Sequence, residues 1–362
     1  MAMNHDLIVI GGGPAGTSAV ITAARAGFTV LLLEAGKYPR HKVCGEFVSP
    51  ESVNLLASLL SSGSELLLNA PRVSRSRVFI DATELQFPLS PAAVSISRHD
   101  LDAALWRAAI QSGVDARQQT SVEDVSGLGP FAVRTAHTEF SAKCVIFAAG
   151  RWPRIERFRP ELQPGPRWIG LKAHFEESDP PLSTDLYFFE HGYCGVQPIG
   201  DGRVNACAMV RSDVATTLNE VFRKNAALAK RSRTWNQVFD TVSTSPLVFR
   251  QPIPVLDNIL LAGDSAGFID PFAGDGIALA LRTGSLATQS LIPFLQSRCS
   301  LNEACRSYAR SYAVHMLPIF RSAARLRFGL RLPRPIQRQA AKLLRMPALA
   351  NFVVRTTRGR IA

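Results

Sequence analysis

The chain has 362 residues, enough to bury a substantial core and a length that favours about two domains. Hydrophobic residues make up 46% and charged residues 19%, which excludes a disordered chain, and no apolar run reaches the about 18 residues that a bilayer span needs. The net charge of +12 is confined to one end: residues 1–303 carry 28 basic and 29 acidic side chains, whereas 304–362 carry 13 basic and none acidic. An electrostatic partner is therefore to be sought at the C-terminus. The first six residues lack the positive and apolar regions of a signal peptide, and the six cysteines are scattered without a C-x-x-C pair. The expectation is a cytoplasmic protein with reduced thiols and no metal site.

In chain order, the first predicted unit is an apolar strand over 6–10, a turn Gly11-Gly12-Gly13-Pro14-Ala15-Gly16, a helix from Pro14, and a second apolar strand over 30–33 ending on Glu34. Gly11, Gly13 and Gly16 fall at the G-x-G-x-x-G spacing. The first allows a tight turn, the second a close approach of backbone to a pyrophosphate, and the third close packing of helix on strand. The helix N-terminus favours phosphate, and Pro14 at its head lacks only an N–H that would be orphaned there. Glu34 follows Gly16 by 18 residues, near the offset of about 20 for an acid that binds a ribose hydroxyl. The unit predicts a dinucleotide site.

A polar loop over 35–46 follows, then a helix over 50–60 with Ser49 as its predicted N-cap. Strands are predicted over 77–82 and 93–97, an amphipathic helix over 98–112, and a β-meander over 114–125, 131–135 and 140–149. No second strand–glycine–helix unit occurs, so no separate nicotinamide domain is expected. Residues 165–210 are strand-rich and 213–235 helical, and dinucleotide-type sequence returns at 258–264. Helical pattern then runs from Gly276 to the end, broken at Pro293, Pro318, Pro333, Pro335 and Pro347. The predicted fold is α/β, with a Rossmann-like domain (1–75, 93–155 and 250–298), an inserted antiparallel-sheet substrate domain (76–92 and 156–249), and a basic helical region over 299–362.

The second strong signal is the strand, loop and helix around Gly263-Asp264 and Gly276-Ile277. Asp264 can accept hydrogen bonds from a ribitol hydroxyl, and the helix that opens at Gly276 can stabilise negative charge on a ligand. A nicotinamide dinucleotide needs neither feature so far from its pyrophosphate loop, whereas a reduced flavin does.

Gly11–Gly16 with Glu34, Arg40 with Cys44-Gly45-Glu46, Arg98 with Asp102, and the Gly263-Asp264 block together resemble the geranylgeranyl reductase family, a branch of the p-hydroxybenzoate-hydroxylase-like FAD enzymes. The matching motifs span about residues 5–290. The resemblance implies FAD as cofactor, with Gly11, Gly13, Pro14, Ala15, Gly16, Glu34 and Ala35 at its ADP half. It also implies that Arg40 and Arg98 reach ribose or pyrophosphate, and that Asp264 meets the ribitol–pyrophosphate stretch. Pro271, Gly274, Gly276 and Ile277 would lie beside the isoalloxazine, with Cys44 and Gly45 on its other side. Cys44 and Glu46 are the candidate catalytic groups; Glu46 would serve as a proton donor through burial, which raises a carboxyl pKa. Asp102 is expected to stabilise the fold by pairing with a neighbouring arginine.

Two departures bear on function. Relatives carry an Asp-Gly pair where this chain has Ala149-Gly150, which weakens the case for hydroxylase-type docking of NAD(P)H as a transient reductant. A Tyr-x-Trp-x-Phe-Pro segment of prenyl reductases reads Tyr193-Cys-Gly-Val-Gln-Pro198 here, so Gly195 and Gln197 stand in place of bulky wall residues. The expected reaction is reduction of a C=C bond in an apolar prenyl, quinone or polyketide-like substrate. The alternatives are a flavin monooxygenase acting on an aromatic or polyketide ring, and a membrane-associated flavin electron carrier with a redox protein partner. The basic end reads either as a solvated helical face or as peripheral contact with the anionic inner face of a membrane through 321–360; no nucleic-acid motif accompanies it.

Overall fold

The computed structural model describes residues 4–60, 64–162, 164–244 and 246–330. Five strands form a parallel sheet in the order Asp115–Arg117, Val30–Leu33, Asn4–Ile10, Glu139–Phe147 and Ile259–Leu261, with Val255–Leu256 antiparallel at the far edge. Its central strands are apolar on both faces; Leu7, Ile8, Leu31, Leu32, Val145 and Ile146 are fully buried, as a sheet covered on both sides requires. The antiparallel strands Val122–Ser126 and Phe131–Thr135 extend the sheet through Glu139–Phe147. Register aligns the carboxyl ends: Ile10 pairs with Leu33 and Phe147, and Phe147 with Leu261. The loops after these four strands therefore emerge side by side, where doubly wound sheets bind ligands.

Helices Pro14–Arg25 and Gly276–Leu295 cross over this sheet in close contact. A Cβ on Gly284 would lie 2.0 Å from the Ala15 carbonyl oxygen, so glycine is what permits the approach. Ser18 Oγ donates to Leu281 O (2.7 Å) and Thr288 Oγ1 to Ala19 O (2.9 Å), fixing the pair from both sides. The sequence reading placed a break at Pro293, but the helix runs on to Leu295, because a proline in a last turn disturbs little beyond it.

The second sheet has nine strands. From one edge it runs Trp168–Glu176, Arg203–Arg211, Gly192–Gly200, Ser183–Phe189, Arg72–Ile80, Thr83–Ser95 and Phe47–Val48, with Asn236–Gln237 and Val242–Thr244 beside Trp168–Glu176. The strands expected over 77–82 and 93–97 are thus parts of a longer hairpin, 72–95. One face carries Leu171, Phe175, Val204 and Val210 and is covered by the short helices Leu218–Arg223 and Ala226–Arg231. The other face is turned to the first domain. Ser49 does not cap helix Pro50–Leu60: its Oγ is buried and has no hydrogen-bond partner among the described residues.

After Gln296 the chain enters helix Leu301–His315, opened by a capping box between Ser300 and Glu303, and then helix Leu317–Leu330. No helix among the described residues is long and apolar enough to cross a membrane. Pro333, Pro335, Pro347 and residues 331–360 of the expected membrane contact lie outside the described residues.

Candidate functional site

A cleft of about 770 Å³ lies between the carboxyl edge of the parallel sheet and the inner face of the second sheet. Its dinucleotide end is built by the turn after Asn4–Ile10. Gly11 is left-handed (φ 105), and a Cβ there would stand 2.3 Å from Ala148 O; one on Gly16 would stand 1.8 Å from Gly11 O. Gly13, by contrast, has open space in front of it, the nearest atom being an Arg98 nitrogen at 3.9 Å. Glu34 accepts from Gly12 N (2.8 Å), Gly36 N (2.7 Å) and Arg40 Nη2 (2.7 Å). Burial pushes its carboxyl upward, but Lys42, the two backbone N–H groups and Arg40 together hold it below its usual range. Arg40 also lies over the Tyr38 ring. Arg98 lines the same wall, gripped by Asp102 through two 2.7 Å hydrogen bonds, the expected stabilising pair.

The middle of the cleft is formed by the loops after Phe147 and Leu261. Ser265 Oγ donates to Gly150 O (3.1 Å) and accepts from Gly150 N (2.8 Å), tying the two loops together. Asp264 faces Arg151 at 3.7 Å and accepts no hydrogen bond among the described residues. Withdrawal from water pushes its carboxyl upward against the pull of Arg151, Arg98 and Lys42. Arg151, which follows the substituted Ala149-Gly150, also lies over Phe268. Beyond Asp264, Pro271–Ala273 turns through Gly274 (φ 76) into helix Gly276–Leu295. A Cβ on Gly274 would meet Phe47 at 2.9 Å, whereas one on Gly276 or Gly45 would meet nothing. The segments 44–47 and 271–277 thus lie against one another and leave a slot at their glycines.

The loop 44–46 is pinned from the second sheet by residues that the sequence reading did not single out. Lys172 and His174 on one strand, and Asn205 opposite His174 on the next, share the inner face. Asn205 Nδ2 donates to the carbonyls of Cys44 (3.0 Å) and Gly45 (2.9 Å). Glu46 is fully buried and left-handed (φ 62); it accepts from Lys172 Nζ, Arg98 N (2.6 Å) and His174 Nε2 (2.8 Å). Burial pushes the Glu46 carboxyl up, but His174 and Lys172 more than reverse this, so its pKa lies below the usual carboxylate range. The expectation of a burial-raised acid at Glu46 is therefore corrected: it is the anionic centre of a structural cluster. Cys44 lines the cleft, half-buried, and its Sγ accepts from Glu46 N at 3.3 Å. His41 stacks on Phe239 at 3.6 Å beside this cluster, and burial, with Lys172 and His174, pushes its pKa down to about 4.

These residues suit an elongated cofactor with a diphosphate in its middle. Helix Pro14–Arg25 and helix Gly276–Leu295 both aim N-terminal N–H groups into the cleft, and Asp264 keeps acceptor capacity for a polyol. A family model described as glucose inhibited division protein A matches residues 6–167. The menaquinone reductase of Mycolicibacterium smegmatis is 26% identical, over 98% of this chain and 91% of its own. The digeranylgeranylglycerophospholipid reductase 2 of Methanopyrus kandleri is 27% identical, over 79% and 76%. In sequence the chain is similar to FAD-dependent oxidoreductases of the superfamily that includes the geranylgeranyl reductases. Its fold is shared with the flavin-dependent brominase Bmp2, at a TM-score of 0.77 and 19% identity over 98% of this chain and 93% of that one.

One part of the cleft is an apolar chamber. Leu186, Tyr193, Met209, Leu247, Phe268 and Phe272 form its walls. Gly195 lies on its sheet side, where a Cβ would make ordinary contacts of 3.5 Å to Leu186 and 3.7 Å to Cys207 O. Burial holds the Tyr193 phenol well above its usual pKa, so it keeps its proton at neutral pH.

Proposed function

We propose that this protein reduces a carbon–carbon double bond in a neutral, apolar substrate such as a prenyl chain or a prenylated quinone. The observation that carries the reading is the chamber itself: the six wall residues named above are all uncharged, and apart from the Tyr193 hydroxyl they are apolar. FAD bound here would, in its reduced form, supply the hydride. The protein's own contribution would be to border the flavin ring with Gly45 and Gly276, where no neighbouring atom crowds the backbone, to offer the helix end at Gly276 to negative charge, and to exclude water with aromatic walls. Hydride on one carbon requires a proton on its neighbour, and Tyr193, protonated at neutral pH and facing the chamber, is the donor we assign. The menaquinone and prenyl-lipid reductases among the relatives support an apolar substrate. NAD(P)H is the reductant to be tried first, with dithionite as its substitute.

The test is anaerobic. Yellow protein is reduced with NADPH, NADH or dithionite, then mixed with a menaquinone or geranylgeraniol, and flavin absorbance is followed together with product mass after any quinol has been reoxidised in air. Reoxidation with a product richer by two hydrogens is expected. A flavin that stays reduced until oxygen is admitted, with a product richer by one oxygen atom, would establish the monooxygenase reading instead. Reoxidation only by a redox protein would establish the electron carrier.

A further inference from the structure

The reaction proposed above assigns no role to the basic end of the chain. Helices Leu301–His315 and Leu317–Leu330 form one kinked rod: Met316 between them stays right-handed helical (φ −104, ψ −43), and Pro318 sits in a first turn, where its missing N–H removes no intrahelical bond. Leu301, Cys305, Tyr308, Tyr312, Met316, Ile319 and Ala323 recur every three or four residues and are buried. On the opposite side Arg306, Arg310, Val314, Pro318, Arg321 and Arg325 recur at the same spacing and all are exposed, Val314 to 67%. None of these four arginines closes a salt bridge among the described residues, and Glu303, one turn before Arg306, is taken up by the N-cap at Ser300. In sequence the stripe opens a 59-residue stretch, 304–362, that holds 13 basic residues and no acid.

We propose that this stripe is the surface on which an anionic lipid bilayer seats the protein. Charge complementarity points to a phosphate-rich surface, and the exposed Val314 and Pro318 midway along the arginines point to lipid, where an apolar side chain can enter between headgroups. A nucleic acid offers Val314 nothing to bury against. The same rod is tied to the chamber from its inner side. Arg327 pairs with buried Asp270 at 2.9 Å and lies over Phe249 at 4.3 Å, and Asp270 leads directly into the Pro271–Ala273 turn. Seating the stripe therefore brings the chamber wall close to the bilayer, so that an apolar substrate reaches it from lipid; this consequence, though not the docking, rests on the reaction proposed above.

The experiment is co-sedimentation of the full-length flavin-loaded protein with vesicles of phosphatidylcholine alone or mixed with phosphatidylglycerol. Binding is expected only to the anionic vesicles and should weaken with salt. Each charge lost near the surface should lower the partition coefficient by about fivefold, so R306Q/R310Q/R321Q/R325Q should bind at least about 100-fold more weakly. The corresponding quadruple lysine variant should bind as the wild type does. V314D, at an exposed position that leaves folding alone, should weaken binding by itself. Bound flavin and far-UV dichroism report folding in every case. Equal sedimentation of the glutamine variant, binding to neutral vesicles alone, or displacement from vesicles by duplex DNA at equal phosphate would overturn the proposal. Anaerobic saturation of a prenyl double bond of geranylgeraniol in detergent, read by product mass, reports the chemistry separately, so a protein that saturates the chain yet ignores vesicles loses only the docking surface.

Discussion

Glu46→Gln is the substitution whose consequence the structure defines most closely. Gln can still accept from Lys172 and Arg98 N, and its amide can donate to a neutral His174, so geometry is largely kept while the charge is lost. Lys172 is fully buried, and Glu46 is its one salt-bridge partner among the described residues. Removing one member of such a pair costs about 3–5 kcal/mol, a large part of the about 5–15 kcal/mol that stabilises a folded protein. An unfolding entropy of about 2.1 cal/mol/K per residue over 362 residues converts that cost to a fall of about 4–7 °C in melting temperature. Melting is followed by release of flavin fluorescence and by far-UV dichroism. The double variant Glu46→Gln/Lys172→Met, which removes both charges, should recover at least about 2 kcal/mol of the loss, because no ion is then left buried without a partner. The pH dependence has a fixed sign. The folded Glu46 pKa lies below the ordinary 4.5, so its stabilisation is present above 4.5 and is lost as pH falls through the lower folded value. The gap between wild type and the glutamine variant should therefore close in acid. A single variant that melts within about 1 °C of wild type, or a double variant whose loss equals the sum of the singles, would refute the argument.

Other outcomes follow from the same geometry. Gly195→Leu should fold and retain FAD, since a Cβ meets only ordinary contacts there, but it should raise KM for a prenylated substrate by at least about tenfold as the side chain fills the chamber; an unchanged KM would remove Gly195 from the substrate's path. Gly284→Ala should lower the melting temperature by several degrees, because its Cβ would overlap the Ala15 carbonyl at 2.0 Å. Gly276→Ala should melt as wild type does yet hold FAD more weakly, which equilibrium dialysis of the flavin would register. His41, depressed from 6.5 to about 4, makes the folded state bind fewer protons than the unfolded chain in that interval. Stability should fall as pH drops from 6.5 toward 4, and His41→Phe, which keeps a ring against Phe239, should flatten that slope in urea titrations.

The dinucleotide half of the site is legible in the sequence because its parts are contiguous: strand, glycine turn, helix and Glu34 lie within about thirty residues, each dictated by local backbone geometry. The Arg98–Asp102 pair is legible for the same reason, four residues apart on one helix. The cluster behind the loop 44–46 is not. Lys172 and His174 lie 126 and 128 residues from Glu46, and only the pairing of Trp168–Glu176 with Arg203–Arg211 brings Asn205 beside them. A faint signal existed: the basic residues Lys172 and His174 alternate with Leu171, Ala173 and Phe175, which sets them on one face of a strand whose other face is apolar. That alternation marks a face; it does not name its partner. Neither the burial of Glu46 at the end of a polar loop nor the sign of its pKa shift is written in its neighbours along the chain, because both depend on the distant Lys172 and His174.

The grip of Lys172, His174 and Asn205 on residues 44–46 has an evolutionary corollary. An insert that merely sat on a cofactor domain could be exchanged between relatives to change substrate. Here the insert also shapes the backbone of 44–46, which lines the cleft, and strand Phe47–Val48, next to that loop, is itself an edge of the second sheet. A chimera that brings a foreign insert without the matching Cys44–Val48 segment, or the reverse, should lose flavin before it gains a new substrate. Substrate choice in this chain should therefore be easier to alter side chain by side chain within the cleft, as at Gly195 and Gln197, than by exchange of the whole second sheet.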